Sequence, residues 1–151
     1  MKTHPSNKTA EHISSCLQLA ILLEVSAYPK PGNVHRTIDF RGTRYEHFLA
    51  SAVAVAPHFK FAAEKGIKVS AGRMSPNDVG IGNIIKNTVK SVDKWQGGGN
   101  TLLGTIILLS PIAVAAGMTL AEEAFSLVGL REKMKMIVES TTPADAVAVY
   151  E

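Results

Sequence analysis

The stretch Leu102-Leu103-Gly104-Thr105-Ile106-Ile107-Leu108-Leu109-Ser110-Pro111-Ile112-Ala113-Val114-Ala115-Ala116-Gly117-Met118 decides the fold, and it lies in a run from Gly97 to Ala121 that has no charged residue. A segment so apolar on every face either crosses a bilayer or lies at the centre of a helical domain. Its length suits a bilayer, but Gly104, Ser110, Pro111 and Gly117 interrupt it and alanines crowd its second half. Its flanks carry neither an aromatic belt nor a one-sided Lys/Arg cluster. It therefore reads as the central helix of an all-α, multi-helix bundle, with no membrane partner.

The segments around it carry helical signals. Ile13, Leu17, Ala20, Leu23 and Ala27 recur at helical spacing, which predicts a helix over Thr9–Ala27 with Cys16 on its core side. Tyr28–Gly42 has two prolines, two glycines and no clean period, so it reads as a loop. A second helix is expected from Thr43 to Lys65, interrupted by Pro57 and stopped by Gly66. Ile67–Arg73 then reads as a short, partly extended connection. Ser75-Pro76-Asn77-Asp78 pairs a cap with proline and acid, so a third helix is expected from there to Trp95. Thr119-Leu120-Ala121-Glu122 has the capping-box pattern and predicts a helix running to about Glu139. Thr142-Pro143-Ala144-Asp145 opens a last helix with little chain after it. Its apolar residues Val147, Val149 and Tyr150 suggest packing against a partner chain, hence a homodimer, or a longer protein.

Composition narrows the function classes. The 151 residues are 46% apolar and 19% charged, which excludes disorder and fits a single domain, residues 1–151. A chain of this length buries roughly 70% of its unfolded surface. The net charge of +3 is too mild to imply a nucleic-acid partner. One cysteine excludes a disulfide framework and a multi-cysteine zinc site, and no His-x-x-x-His pair occurs among the five histidines. The polar stretch Met1–Ala10 has no signal-type apolar region, so a cytoplasmic protein is expected.

Two stretches can carry chemistry. In Glu24-Val25-Ser26-Ala27-Tyr28-Pro29-Lys30-Pro31-Gly32-Asn33-Val34-His35-Arg36, the prolines restrain the backbone and Gly32 permits a tight turn. Lys30, His35, Arg36, Arg41 and Arg44 give this region a local cationic excess that suits phosphate. A solvated surface turn has the same composition. Gln96-Gly97-Gly98-Gly99-Asn100-Thr101 runs straight into the uncharged helix, where backbone N–H groups and a helix start favour an anion. A plain inter-helix connection also uses glycines, and no Walker lysine follows. Magnesium held by phosphates and one or two of Glu24, Asp39, Glu46 and Asp78 is chemically reasonable; spacing does not choose among them.

Together, Glu24…Pro29-Lys30-Pro31-Gly32-Asn33-Val34-His35 and Gly99-Asn100-Thr101…Gly104 resemble the triphosphoribosyl-dephospho-CoA synthase family. The resemblance covers nearly the whole chain and corresponds to the N-terminal half of the family domain. A later glycine-rich, aspartate-containing stretch of that family has no counterpart before Glu151. The resemblance implies an all-helical transferase that joins ATP to 3′-dephospho-CoA with loss of adenine. The product is a prosthetic-group precursor for citrate or malonate decarboxylating enzymes.

It further implies that Lys30 and Gly98, Gly99, Asn100 and Thr101 meet the triphosphate, with Gly32, Asn33, His35, Arg36 and Arg41 around them. Glu24 or Asp39 would be the carboxylate that stabilises an oxocarbenium-like centre. Where family members carry His-Lys after Asn-Thr, this chain has Leu102-Leu103. A nucleotide-binding module without catalysis, or a helical interaction protein whose glycine loop is a hinge, are the other classes.

Overall fold

The uncharged segment is a helix, Leu103–Leu120, in a computed structural model that describes residues 5–121 and 125–151. In chain order the described helices are α1 (Pro5–Ser26), α2 (Tyr45–Ser70), α3 (Ile81–Trp95), α4 (Leu103–Leu120), α5 (Leu127–Glu139) and α6 (Pro143–Tyr150). No strand occurs among the described residues; the loop after α1 has two single bridges, His35 to Ile38 and Phe40 to Thr43. The all-α expectation holds.

α4 packs chiefly on α2 and also meets α1, α3 and α5. By length and composition it is apolar enough to cross a membrane, and half of its residues are buried inside the protein. The burial is uneven. Ser110, Pro111, Ala113, Val114, Ala115, Gly117, Met118 and Thr119 are buried, whereas Leu103, Ile107 and Leu108 are exposed.

The second half packs tightly because its residues are small. A Cβ on Gly117 would lie 2.2 Å from the Ala63 carbonyl oxygen. One on Gly66 would lie 1.9 Å from that of Val114. The α2 and α4 backbones therefore touch, and dispersion contacts are gained along the whole seam. This corrects the expected end of α2. Gly66 is a contact point inside the helix, not its stop, and Ile67–Ser70 are helical where an extended connection was expected. Pro57 also lies within α2, and Gln18 and Ser14 of α1 donate to the neighbouring Ala52 and Ala56 carbonyls at 3.1 and 2.6 Å.

Three other expectations are corrected. Pro76–Asp78 forms only a 3-10 turn, because Gly80 at φ +67° breaks the path and α3 starts at Ile81. Thr119 lies inside α4 with its hydroxyl donating to Ala115 O at 2.8 Å, so it opens no helix. α5 is capped by Ser126, whose Oγ accepts from Gly129 N at 3.0 Å; Glu122 of the expected capping box lies outside the described residues. Cys16 is exposed, because α1 buries Ala10, Ile13, Ser14, Ile21 and Val25 instead of the arc containing Ala20, Leu23 and Ala27.

The C-terminal helix folds back on its own chain. The Asp145 carboxylate accepts from Gly82 N at 2.9 Å and from Thr142 N and Oγ1 at 2.9 and 3.0 Å. Burial alone would raise the Asp145 pKa; these hydrogen bonds and the charge of Lys65 outweigh it and hold the carboxyl below its ordinary value. Ala148 is buried beside it and Lys86 pairs with Glu151 at 2.5 Å, while Val147 and Tyr150 remain exposed. The inner face of this segment is thus covered without a partner.

Candidate functional site

Both candidate loops lie at the N-terminal end of α4. Leaving α1, the chain passes the cis Tyr28–Pro29 peptide and brings Lys30 back to Glu24, with which it forms an ion pair. The Lys30 ammonium nitrogen is enclosed and has no well-directed hydrogen bond. Asn33 folds its Oδ1 onto Val34 N at 2.8 Å, and Val34 is buried under it. The second loop is tied by Gln96, whose Nε2 donates to Gly99 O at 2.9 Å and whose Oε1 accepts from Gly98 N. Asn100 Oδ1 accepts from Leu103 N at 3.0 Å and so caps the first N–H of α4.

Side chains of α2 and its approach join the loops. Thr43 Oγ1 donates to Gly98 O at 2.9 Å, and the Ser51 and Thr101 hydroxyls bond at 2.7 Å. Gly98 leaves no room for a side chain, since a Cβ there would lie 2.0 Å from His47 Nδ1. The result is a cavity of about 400 Å3 lined by Glu24 from the last turns of α1, by Asn33 from the loop after it, and by Asn100 and Thr101 from the second loop. Thr43 and Thr105 add hydroxyls, and Val34, Phe40, Phe48 and Leu102 form the apolar wall. The N–H groups of Gly104 and Thr105, in the first turn of α4, have no carbonyl behind them in the helix. A polar cavity at a helix start, beside a held lysine, is chemically suited to an anion.

The other residues singled out in the sequence, Lys30 and Gly98 included, are not in the cavity wall. Gly32 and Gly99 sit at turns with φ of +75° and +72°. His35 is buried, with its Nδ1 at 3.2 Å from Thr37 Oγ1 and its ring edge-on to Tyr28. The Arg36 guanidinium stacks over the same Tyr28 ring at 5.6 Å. Arg41 is exposed. Asp39 Oδ1 accepts from Tyr45 N at 2.8 Å, occupying that oxygen at the start of α2. Of the two candidate carboxylates, Glu24 is the one in the cavity wall. Sequence reading missed Thr43, Phe40, Phe48 and Thr105. Thr105 had a signal: it lies one turn beyond Thr101, on the same side of the α4 start.

The family model described as CitG, ATP:dephospho-CoA triphosphoribosyl transferase, matches residues 10–151. The chain belongs to that family. No curated protein and no solved structure matches it significantly. The CitG family activity is triphosphoribosyl transfer from ATP to dephospho-CoA, and the resemblance read from the two loops holds at that level. In this CitG-family chain, Leu102 is buried at the cavity wall and Leu103 is exposed, the two positions that depart from the His-Lys pattern. No group of three metal-ligating side chains occurs among the described residues. Glu24 is the one carboxylate among the residues that line the cavity.

Proposed function

We propose that this chain transfers the triphosphoribosyl group of ATP to 3′-dephospho-CoA, with the triphosphate held in the cavity between the two loops. The observation that carries this reading is the shared wall of Glu24, Asn33, Asn100 and Thr101, built from the end of α1 and two loops that are far apart in sequence. The start of α4 and the hydroxyls of Thr101 and Thr105 would take phosphate oxygens. Lys30 would exchange its pairing with Glu24 for pairing with phosphate, leaving the carboxylate free as the nucleotide arrives.

Glu24 would then stabilise positive charge growing at C1′ of the ribose. A hydroxyl oxygen of the acceptor forms a bond to C1′ as the bond from C1′ to adenine nitrogen breaks. The electron pair of that bond leaves with adenine, and the proton lost by the hydroxyl balances the departing base. Magnesium, where bound, would offset phosphate charge. A second reading, nucleotide binding without catalysis, is favoured by buried Leu102, which supplies neither proton nor charge where the family pattern has histidine. The reading includes a cytoplasmic setting, in line with the free thiol of Cys16, and a homodimer, supported by exposed Val147 and Tyr150.

Chromatography of ATP incubated with dephospho-CoA tests the reaction: free adenine is the expected product, and its absence despite ATP binding would favour the second reading. Glu24→Gln should lower adenine release about a hundredfold or more while ATP still binds. Lys30→Ala should weaken ATP binding by roughly ten- to a hundredfold, the value of one charge-assisted contact. Lys135→Ala, at an exposed position of α5, is the control and should bind as the parent does.

A further inference from the structure

We infer that the apolar groove between α1 and α4 seats the adenine base of ATP, an inference that rests on the proposed triphosphate site. The groove has a volume of about 480 Å3 and is walled by Ala20 and Ile21 on one side and Gly104, Leu108 and Leu109 on the other. It shares Glu24, Leu102 and Thr105 with the polar cavity, so the two adjoin and Glu24 lines both.

That order matches the order of chemical character along ATP. The triphosphate is polyanionic, the ribose is neutral and polar, and the base is flat and uncharged. With the triphosphate at the α4 start and C1′ beside Glu24, the base must extend away from the phosphates. The groove is what lies on that side. It has no charged side chain beyond Glu24 at its mouth, so it suits a neutral ring and disfavours phosphate. Leu108 is exposed and the groove opens to solvent, which gives the released base a way out. Its volume lies in the range of about 300–1,000 Å3 that small-molecule sites use.

Ala20 and Leu108, on opposite walls and outside the proposed phosphate site, make the groove testable. Leu108 is exposed on α4, so a larger side chain there fills the groove without pressing on the core. Ala20 does the same from the opposite wall and is exposed on α1. Calorimetry would compare ATP with inorganic tripolyphosphate on the parent, Leu108→Trp and Ala20→Leu, with thermal melts to confirm folding. ATP should bind the parent more tightly than tripolyphosphate does. Both variants should lose about tenfold in ATP affinity while tripolyphosphate affinity stays unchanged.

Equal ATP affinity in parent and variants, with tripolyphosphate still bound, would overturn the adenine assignment and leave the phosphate site standing. Loss of dephospho-CoA affinity with ATP affinity intact would also overturn it, by giving the groove to the acceptor. So would a change in mass by light scattering without a change in ATP affinity, since a second copy would then cover the groove. Failure of the parent to bind tripolyphosphate would overturn the phosphate site itself and this inference with it.

Discussion

Two glycines on α4 stand in opposite surroundings. At Gly117 the α2 backbone is so close that a methyl group would lie 2.2 Å from Ala63 O; at Gly104 a methyl group would meet nothing. The helix is uncharged from end to end, yet one half is a seam between backbones and the other is the wall of an open groove. The difference lies in side-chain size. Ala113, Ala115 and Gly117 let another helix come close, while Leu103, Ile107 and Leu108 hold space open around them. Low charge shows that a helix avoids water, and small residues show where a backbone can dock.

The largest effect should come from the seam. Gly117→Ala places a methyl group against a carbonyl oxygen that belongs to α2, so no flexible side chain can yield. The helices must separate, and the contacts of Ala62, Ala63 and Val114 are lost together. A loss of about 3 kcal/mol is expected in urea denaturation, at the upper end of overpacking costs. Gly66→Ala strains the same seam and should not add fully to it. An unchanged midpoint for Gly117→Ala would show that the α2 and α4 backbones do not touch at Gly117 and would remove the seam from this comparison.

A smaller effect is expected where α6 docks on α3, a second close approach: a Cβ on Gly82 would lie 2.0 Å from Asp145 O. Asp145→Ala removes the acceptor of the Gly82 N–H and should cost about 1–3 kcal/mol. Hydrogen bonds hold the folded-state pKa of Asp145 below the unfolded value, despite burial. Its contribution is therefore fully present above the ordinary carboxylate range and is lost as pH falls through the folded value. Stability of the parent should drop as pH falls below about 4, and Asp145→Asn should show a flatter drop. Parallel acid profiles for the two proteins would remove Asp145 from that docking.

Much of this contrast was legible in the sequence, and the failures share a cause. The lack of charge over Gly97–Ala121 marked α4 as central, and Pro29-Lys30-Pro31-Gly32 marked a loop, because both signals are local. Gly66 was misread because a helix stop and a helix contact use the same residue, and only the tertiary partner Val114 distinguishes them. Thr119 was misread for a related reason: its hydroxyl satisfies Ala115 O from inside the helix. In the site, Glu24 and Asp39 were equivalent as isolated carboxylates. The packing separates them, giving one to the cavity wall and the other to Tyr45 N. The groove was invisible because Ala20 and Leu108 become neighbours only when α1 and α4 pack.

The smallest effect should have the opposite sign. Gly104→Ala adds a methyl group at the start of the same helix, with open space around it. Glycine costs about 0.8–1.0 kcal/mol relative to alanine in a helix interior. The first turn is more forgiving, so a gain of roughly 0.5 kcal/mol is expected, largely from a less flexible unfolded chain. The urea midpoint should rise slightly with an unchanged slope, while Gly117→Ala lowers it. A destabilised Gly104→Ala would mean that something presses on the groove in solution. In that case the open half of α4 would be covered, and its contrast with the seam would be one of degree.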